Sequence, residues 1–287
     1  MSSLRDRMIQ DMRIRNLSDH TQASYVQQVS LFARHFSKSP ELLGPEQIRQ
    51  YQVYLVEEKH LAAASIQSAV SALRFLYKNS LQKDWAFDNI LPLLRMPRQL
   101  PVVLSPEQVQ EFLGSVQHIG HRTILTVCYA GGLRIAETLH LKTEDIDSHR
   151  MVIRIEQGKG NRDRYVMLSA KLLETLRTWW RVERPRHWLF PGDRPDRPTT
   201  AHTVQRACQQ ARQLCSFSKR VTPHSLRHAF AVHLLESGTD VRTIQLLLGH
   251  RSLTTTARYL QIATTKVCET ISPFDRLPVN PSDSSIQ

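Results

Sequence analysis

Three prolines within ten residues, in the stretch PRQLPVVLSP at positions 97–106, constrain the fold of this chain more than any other feature. Proline fixes its own backbone and lacks the N–H that a helix needs, so no regular element is expected to run through Pro97 and Pro101. Ser105 followed by Pro106 is instead typical of a helix start, with serine as the cap and proline in the first turn. We therefore predict a linker at 97–106 between two separately folded parts.

The segment before this linker has the period of helices. In three stretches apolar residues recur every three or four positions, a spacing that places them on one face of a helix. These residues are Tyr25, Val29, Phe32 and Phe36, then Ile48, Tyr51 and Leu55, and finally Ile66, Val70, Leu73 and Tyr77. We predict that residues 1–96 form a bundle of four or five helices.

The segment after the linker changes period once. Large apolar residues alternate with other side chains at 151–156, and a second short run follows at 163–168 after the polar loop QGKGNR. This alternation is the period of strands, and the pair predicts a β-hairpin with Lys159 near its tip. Helical patterns surround it at 106–118, 121–130, 134–141, 169–183, 202–214, 224–237 and 240–248.

The predicted fold class is mainly α, with two domains. An N-terminal helical bundle at 1–96 is followed, after the linker, by an α-rich domain at 107–275 that contains a small antiparallel β-sheet. The polar stretch at 276–287 is expected to be a disordered tail.

The charge of the chain narrows the class of partner. Its 287 residues carry a formal net charge of +12. Residues 150–220 hold 16 basic and 6 acidic side chains, a net charge of +10, whereas residues 1–100 have a net charge of only +4. Clustered basic charge favours a polyanion such as nucleic acid, although a basic surface can also serve solubility alone.

Other classes of function find little support in the sequence. The four cysteines have neither CxxC pairing nor the spacing of a zinc site, and no GxxxxGK[ST] phosphate loop occurs. No stretch approaches the roughly 18 apolar residues of a membrane span. The charged start MSSLRDRMIQDMR lacks the apolar core of a secretion signal. We expect a cytoplasmic protein that requires no cofactor, no metal and no membrane.

One candidate site lies in TPHSLRHAF, residues 222–230. Thr222 and Pro223 form a plausible helix start, which places His224 and Arg227 one turn apart, where imidazole and guanidinium can meet one anion. The spacing of His224 and His228 also suits a metal ion, but no glutamate lies between them as in a zinc protease helix. Taken alone, the stretch is explained as well by the polar face of a packed helix.

Two further stretches carry basic candidates. Arg134 in GGLRIAE is predicted to project from the first turn of a helix, where backbone N–H groups also point outward. Glu137 is within reach of its guanidinium, although pairs of this spacing are ordinarily surface pairs of little energetic value. Lys159 lies between two glycines in GKGNRDR, a pattern that permits close backbone approach and that also occurs in solvated basic turns.

The last candidates lie in GHRSLTTTARYLQ, residues 249–261. His250 follows a predicted helix end at Gly249, and Tyr259 comes nine residues after that histidine among small polar residues. We expect Tyr259 to be exposed on a polar turn, although a half-buried tyrosine with a structural hydrogen bond is the simpler alternative.

Together these stretches resemble the tyrosine recombinase (phage integrase) family. The matching text is GLRIAE, GKGNRDR and HSLRHAFAVHLLESGTDVRTIQLLLGHRSLTTTARY. The last stretch is the most specific because it combines H-x-x-R, a Gly-His pair and the distant tyrosine. The resemblance runs from about residue 4 to 272 and includes a helical N-terminal part similar to the family's core-binding domain. It implies a site-specific DNA recombinase or integrase that cleaves and rejoins strands through a covalent 3′-phosphotyrosine, without a cofactor.

The resemblance implies roles for individual residues. The catalytic set is Arg134, Lys159, His224, Arg227, His250 and Tyr259. Tyr259 would be the nucleophile, and two arginines would grip the non-bridging oxygens of the phosphate with paired bonds. Lys159 would protonate the departing 5′-hydroxyl, and His224 would assist proton transfer, with the role of base as one option. His250 would bond a non-bridging oxygen, and Glu137 would hold Arg134 in place.

The implied partners are double-stranded DNA target sites, further copies of the chain in a synaptic tetramer, and accessory DNA-bending proteins. The segment LQIATTKVCETI, residues 260–271, is expected to dock as a helix on a neighbouring copy, with docking back onto its own domain as the alternative. Two other functions stay open from sequence: a strand-passing enzyme like a type IB topoisomerase, and a DNA-binding regulator whose catalytic residues are idle.

Overall fold

The computed structural model describes residues 3–92, 102–158 and 162–261. The chain divides into two compact units, Met1–Arg98 and Gln99–Gln287. The exact limits of the linker at 97–106 remain a prediction, because residues 93–101 lie outside the described ranges. The structure is mostly helical with one small antiparallel sheet, so the predicted fold class is confirmed.

The first unit is a helical bundle. Its helices are α1 (Ser3–Ile14), α2 (Asp19–Phe36), α3 (Pro45–Val53), α4 (Ala63–Phe75) and α5 (Phe87–Ile90), with a 3-10 turn at Pro40–Leu42 and π-helical turns at Tyr54–Glu58 and Leu76–Ser80. The predicted apolar faces form its core, where the ring of Phe32 meets those of Tyr51 and Tyr77 edge-on. The Tyr77 hydroxyl donates to the carbonyl of Pro40, which ties the π-helical turn after α4 to the 3-10 turn before α3.

The second unit holds the remaining elements. They are α6 (Pro106–Ser115), α7 (Ile119–Ala130), α8 (Ile135–Leu139), β1 (Ile146–Asp147), β2 (Val152–Gly158), β3 (Arg162–Met167), α9 (Ala170–Glu183), α10 (Ala201–Gln213), α11 (Pro223–Glu236), α12 (Val241–Leu248) and α13 (Leu253–Ala257), with 3-10 turns at Thr143–Asp145 and Arg258–Gln261. The predicted cap of α6 is present, because the Ser105 hydroxyl accepts from the N–H of Gln108 and the Gln108 side chain accepts from the N–H of Ser105.

The sheet has one strand more than the sequence predicted. Its order is β1-β2-β3 with antiparallel pairing, and Ile153 on β2 faces Val166 on β3 and Ile146 on β1. Strand β1 is only two residues long, too short to give an alternating pattern. Buried Ile153, Ile155 and Val166 pack the sheet onto the helical core.

Helix α11 is the central element of this unit. Residues on several faces of the helix are buried, among them Leu226, Arg227, Ala229, Phe230 and Ala231. The alternative, that HSLRH is only the polar face of a packed helix, does not account for Arg227, because its side chain is buried. A charged residue on such a helix must find partners inside the protein.

Candidate active site

Arg227 joins the segments that carry the candidate residues. Its guanidinium is buried, with only 1% of the residue exposed. Nη1 donates to the carbonyl of Gly132 at 2.6 Å, and Nη2 donates to the carbonyl of Leu248 at 2.5 Å. Gly132 precedes Arg134, and Leu248 precedes His250, so one side chain of α11 holds both segments at the same place.

Burial changes what Arg227 can offer a ligand. Burial, followed by repulsion from Arg134, lowers the pKa of Arg227 to about 10, so it stays charged at neutral pH. Two of its N–H groups are used within the protein, and a phosphate would be bound by the others. The sequence alone did not indicate that Arg227 would be buried with two backbone partners.

The backbone at Gly132 shows how tightly the turn between α7 and α8 approaches α11. Gly132 has φ +62°, a backbone conformation that residues with a side chain rarely adopt, and a Cβ there would clash with the ring of Phe230. Glycine is thus required both by the turn and by the close packing. The GG pair fixes the carbonyl that Arg227 bonds.

Glu137 lies at the centre of a cluster of guanidiniums. Its Oε1 accepts from Nη1 of Arg134 at 2.7 Å, and its two oxygens accept from Nη1 and Nη2 of Arg164 at 3.0 and 2.8 Å. Arg227 Nη1 is 3.6 Å from Oε2. Burial would raise the pKa of Glu137, but the bonds and charges of Arg164 and Arg134 outweigh it and lower the pKa to about 2.

Arg134 is the most accessible arginine of this cluster. Its side chain is 26% exposed, and its backbone N–H also donates to Glu137, at 2.9 Å. It caps the N-terminus of α8 rather than lying in the first turn, because the helix begins one residue later than predicted, at Ile135. The predicted pairing of Arg134 with Glu137 is present, but Glu137 is 8% exposed and so is not a surface carboxylate.

Arg164 is a residue of this site that sequence reasoning missed. It lies on β3, five residues after Lys159 in the stretch GKGNRDR, and also donates from Nε to the carbonyl of Leu247 at 3.0 Å. Its guanidinium packs on Gly249, where a Cβ would come within 3.0 Å of it. Arg164 therefore links the hairpin to α8 and to the end of α12.

Tyr259 is buried, which contradicts the expectation of an exposed phenol on a polar turn. Only 4% of the residue is exposed, and it packs in a cluster with Phe230, Ala231 and Leu248. The threonine-rich stretch forms α13 and a 3-10 turn, and both Thr256 and Tyr259 are buried, one helical turn apart. Burial raises the pKa of the Tyr259 phenol, against the lowering effect of Arg227, Arg258 and Arg134.

The phenol oxygen has a partner that sequence reasoning also missed. It lies 2.8 Å from Nδ1 of His228, the residue directly after Arg227. Burial, then the charges of His224 and Arg227, lower the pKa of His228 to about 4, so this imidazole is neutral at pH 7. The stretch HSLRH contains both His224 and His228, but the sequence indicated a catalytic role only for the first of them.

The two predicted histidines lie on opposite sides of Arg227 along the chain. His224 lies in the first turn of α11 with part of its surface exposed, and the partial desolvation of its ring, followed by the charge of Arg227, lowers its pKa. His250 follows Gly249, and its Nδ1 lies 2.9 Å from the hydroxyl of Thr256. Burial and the charges of Arg227 and Arg134 lower the pKa of His250 to about 3, so it is neutral at pH 7.

The structure thus brings Arg134, Glu137, His224, Arg227, His250 and Tyr259 to one region around the start of α11. Lys159 and the segment after Gln261 lie outside the described residues. Within the described ranges, no three histidine, cysteine or acidic side chains are grouped so that they could hold a metal ion. No helix in that part of the chain is long and apolar enough to cross a membrane.

Comparison with known proteins decides the family. Residues 102–266 match the phage integrase family, and residues 4–87 match the N-terminal SAM-like domain of phage integrases. The chain belongs to the phage integrase family. The resemblance seen in the sequence is confirmed, and with it the enzyme class: the chain is a tyrosine-type site-specific recombinase, which breaks and rejoins DNA.

Relatives of this recombinase support the same assignment. A putative integrase/recombinase of Sinorhizobium fredii is 62% identical over 278 residues, covering 97% of this chain and 90% of the relative. The tyrosine recombinase XerD of Yersinia pestis is 32% identical over 276 residues, covering 88% and 90%. These alignments span both units of the chain.

Solved structures show the same two-domain fold. The XerA recombinase is 26% identical with a TM-score of 0.54, and the match covers 94% of this chain and all of that one. A lambda integrase dimer bound to a core site is 20% identical with a TM-score of 0.71, covering 88% and 96%.

Proposed function

We propose that this recombinase cleaves DNA by attack of the Tyr259 phenol on a phosphodiester held by Arg134 and Arg227. Glu137 keeps Arg134 in position, and His250 binds a non-bridging oxygen. Lys159 donates a proton to the departing 5′-oxygen. Because one phosphoester replaces another, bond energy is conserved, and neither a nucleotide nor a metal ion has to supply it.

The main support for this proposal is the excess of positive charge around the Glu137 carboxylate. The guanidiniums of Arg134, Arg164 and Arg227 surround Glu137, which leaves the cluster with a net positive charge in a largely buried place. A phosphodiester beside Arg134 would reduce that excess. Further charge develops on its non-bridging oxygens during attack, and a well-placed donor stabilises it by about 3 kcal/mol.

The site of attack lies next to this charge. The phenol of Tyr259 is close enough to Arg227 and Arg134 for their charges to favour its ionised form. Burial opposes that ionisation, so Tyr259 needs a neighbouring group to take its proton. The phenol oxygen must also line up with the P–O5′ bond. For this, either the phosphate enters beside α11, or the turn Arg258–Gln261 moves when DNA binds.

Recombination needs more than one active site. We propose that copies of this chain assemble on paired DNA sites as a synaptic tetramer, coupled by residues 260–271, and that accessory DNA-bending proteins assist them. The recombinase would act in the cytoplasm on nucleoid DNA, as the integrase of a mobile element. The basic stretch 150–220 supports contact with the DNA backbone, because clustered lysine and arginine neutralise phosphates.

A trapping experiment tests the proposed function. The protein is mixed with fragments of its host's genomic DNA, stopped with detergent, and the covalently bound fragments are sequenced. Two labelled duplexes that carry the recovered site are then incubated with fresh protein. Enrichment of one site and formation of recombinant junctions support site-specific recombination. Unselective adducts with plasmid relaxation but no junctions would indicate a strand-passing enzyme, and no adduct at all would indicate a DNA-binding regulator.

A further inference from the structure

The hydrogen bond between Tyr259 and His228 points to a catalytic group outside the predicted set. We propose that His228 accepts the phenolic proton as Tyr259 attacks the phosphate. This inference rests on the proposed function, since it requires Tyr259 to be the nucleophile. The two histidines then have separate roles: His228 accepts the proton of Tyr259, and His224 contacts the substrate at the exposed start of α11.

The geometry supports direct proton transfer. Nδ1 of His228 lies 2.8 Å from the phenol oxygen, and the two ring centroids are 5.6 Å apart. His228 is half-buried on α11, and its backbone is fixed by a helix that is packed on several sides. The distance is within the range in which a general base acts without an intervening water.

The surroundings of His228 favour the neutral acceptor form. The groups that face it are His224 and Arg227 from α11, His250 after α12, and Arg258 and Tyr259 from the turn after α13. None of these carries a negative charge at neutral pH, and burial adds to their effect, so the ring is uncharged. In the tautomer that carries its one proton on Nε2, which the proposal requires, the ring presents an unprotonated Nδ1 to the phenol.

Other histidines of the site are less suited to this task. Nδ1 of His250 faces the hydroxyl of Thr256 at 2.9 Å, and the rings of His250 and Tyr259 are 6.5 Å apart and nearly parallel. His224 contacts the ring of His228, with centroids 4.2 Å apart, and lies at the exposed side of it. In the part of the chain that the structure describes, the phenol oxygen of Tyr259 is hydrogen-bonded to His228.

The step balances as follows. A bond forms between the Tyr259 oxygen and phosphorus, and the P–O5′ bond breaks. The phenolic proton moves to Nδ1 of His228, while Lys159 supplies the proton of the departing hydroxyl. Rejoining reverses both transfers, so His228 is neutral again at the end. A bound phosphodiester brings negative charge next to Arg227 and Arg258, which weakens the repulsion that makes His228 a poor base in the free protein.

A purely positioning role for the hydrogen bond between His228 and Tyr259 predicts a different effect on the cleavage rate. If His228 only held Tyr259 in a withdrawn position, removing the imidazole would free the phenol and leave cleavage as fast or faster. We therefore compare His228→Ala with His228→Asn, which keeps a hydrogen-bond acceptor near the place of Nδ1 but cannot take up a proton. Each variant is assayed for single-turnover cleavage and for affinity, on a duplex carrying the site recovered by trapping.

As a proton acceptor, His228 should matter for rate and not for binding. Both variants are expected to cleave about 10²-fold more slowly at pH 7 with DNA affinity within about twofold of wild type, since a general base contributes roughly 10²–10⁴ in rate. Their rates should climb about tenfold per pH unit toward the phenol pKa, because hydroxide must then remove the proton. The wild-type rate should be flat near neutral pH.

Substituting fluorotyrosine at position 259 supplies a second measurement. A more acidic phenol should speed His228→Asn more than it speeds wild type, because it lessens the need for a base. Equal or faster cleavage by His228→Ala, a flat pH profile in both variants, or no selective gain from fluorotyrosine would overturn the proposal. Covalent adduct formation by wild type and by Tyr259→Phe is measured in parallel. If wild type forms the adduct and Tyr259→Phe does not, a failed prediction for the His228 variants counts against the role of His228 and not against the proposed function.

Discussion

Glu137 and Arg164 form a two-bond pair across the second unit, with the carboxylate oxygens of Glu137 accepting from both terminal nitrogens of Arg164 at 3.0 and 2.8 Å. Glu137 lies on α8 and Arg164 on β3, 27 residues later. The same carboxylate holds Arg134, so the position of the hairpin and that of the accessible arginine depend on one group. A pair of parallel bonds fixes orientation as well as distance.

Replacing Arg164 with methionine should therefore weaken the fold and the site together. The change leaves Glu137 buried with one partner fewer, and removing one member of a buried pair costs about 3–5 kcal/mol of unfolding free energy. Chemical denaturation of Arg164→Met measures this loss. Arg177→Met is the matched control, because the Arg177–Glu174 pair is exposed and its removal should cost less than about 1 kcal/mol. Equal losses in both variants would contradict the account.

The charge of Glu137 should appear as acid sensitivity of the fold. Its pKa is about 2 in the folded protein, against about 4.3 for an unperturbed glutamate. The ionised form thus stabilises the fold above about pH 4.3, and this contribution of about 3 kcal/mol is lost as the pH falls toward 2. Urea denaturation at pH 6 and pH 3 should show a steeper loss for wild type than for Glu137→Gln. Parallel curves for the two proteins would exclude Glu137 as the source.

Gly132 should tolerate no side chain. Alanine there would have to adopt φ +62° and place its Cβ against the ring of Phe230, so Gly132→Ala should lower the unfolding free energy by about 2–4 kcal/mol. Gly114→Ala is the control, because a Cβ at Gly114 meets nothing within 4 Å. That variant should be unchanged or more stable by up to about 1 kcal/mol, since alanine favours helix. A stable Gly132→Ala would show that the turn between α7 and α8 can move away from α11.

The sequence predicted elements better than it predicted the interior of the site. Periodicity and caps located α6 and α11, because those signals are local. The burial of Arg227 and Tyr259 was missed, since it depends on how α12 and α13 fold back over α11. Arg164 and His228 were missed for a related reason: a polar residue reveals its partner only once distant segments meet.

Lys159→Ala tests the proposed proton donor. Cleavage of ordinary DNA should slow by about 10²-fold or more, whereas a substrate with sulfur in place of the bridging 5′-oxygen should be cleaved nearly as fast as by wild type, because a thiolate leaves without a proton. Single-turnover assays on both substrates measure the ratio. Lys171→Ala, at an exposed position on α9, should be normal on both. Equal defects of Lys159→Ala on the two substrates would leave Lys159 with an electrostatic role only.

The identity of the nucleophile is the central claim, and mapping the covalent adduct tests it most directly. Wild-type protein trapped on DNA is digested with protease and nuclease, and mass spectrometry locates the nucleotide. We predict a 3′-phosphate attached to the peptide that contains Tyr259, and no adduct from Tyr259→Phe, which should still fold and bind DNA. An adduct that persists in Tyr259→Phe, or a nucleotide on Tyr129 or Tyr165, would contradict the account.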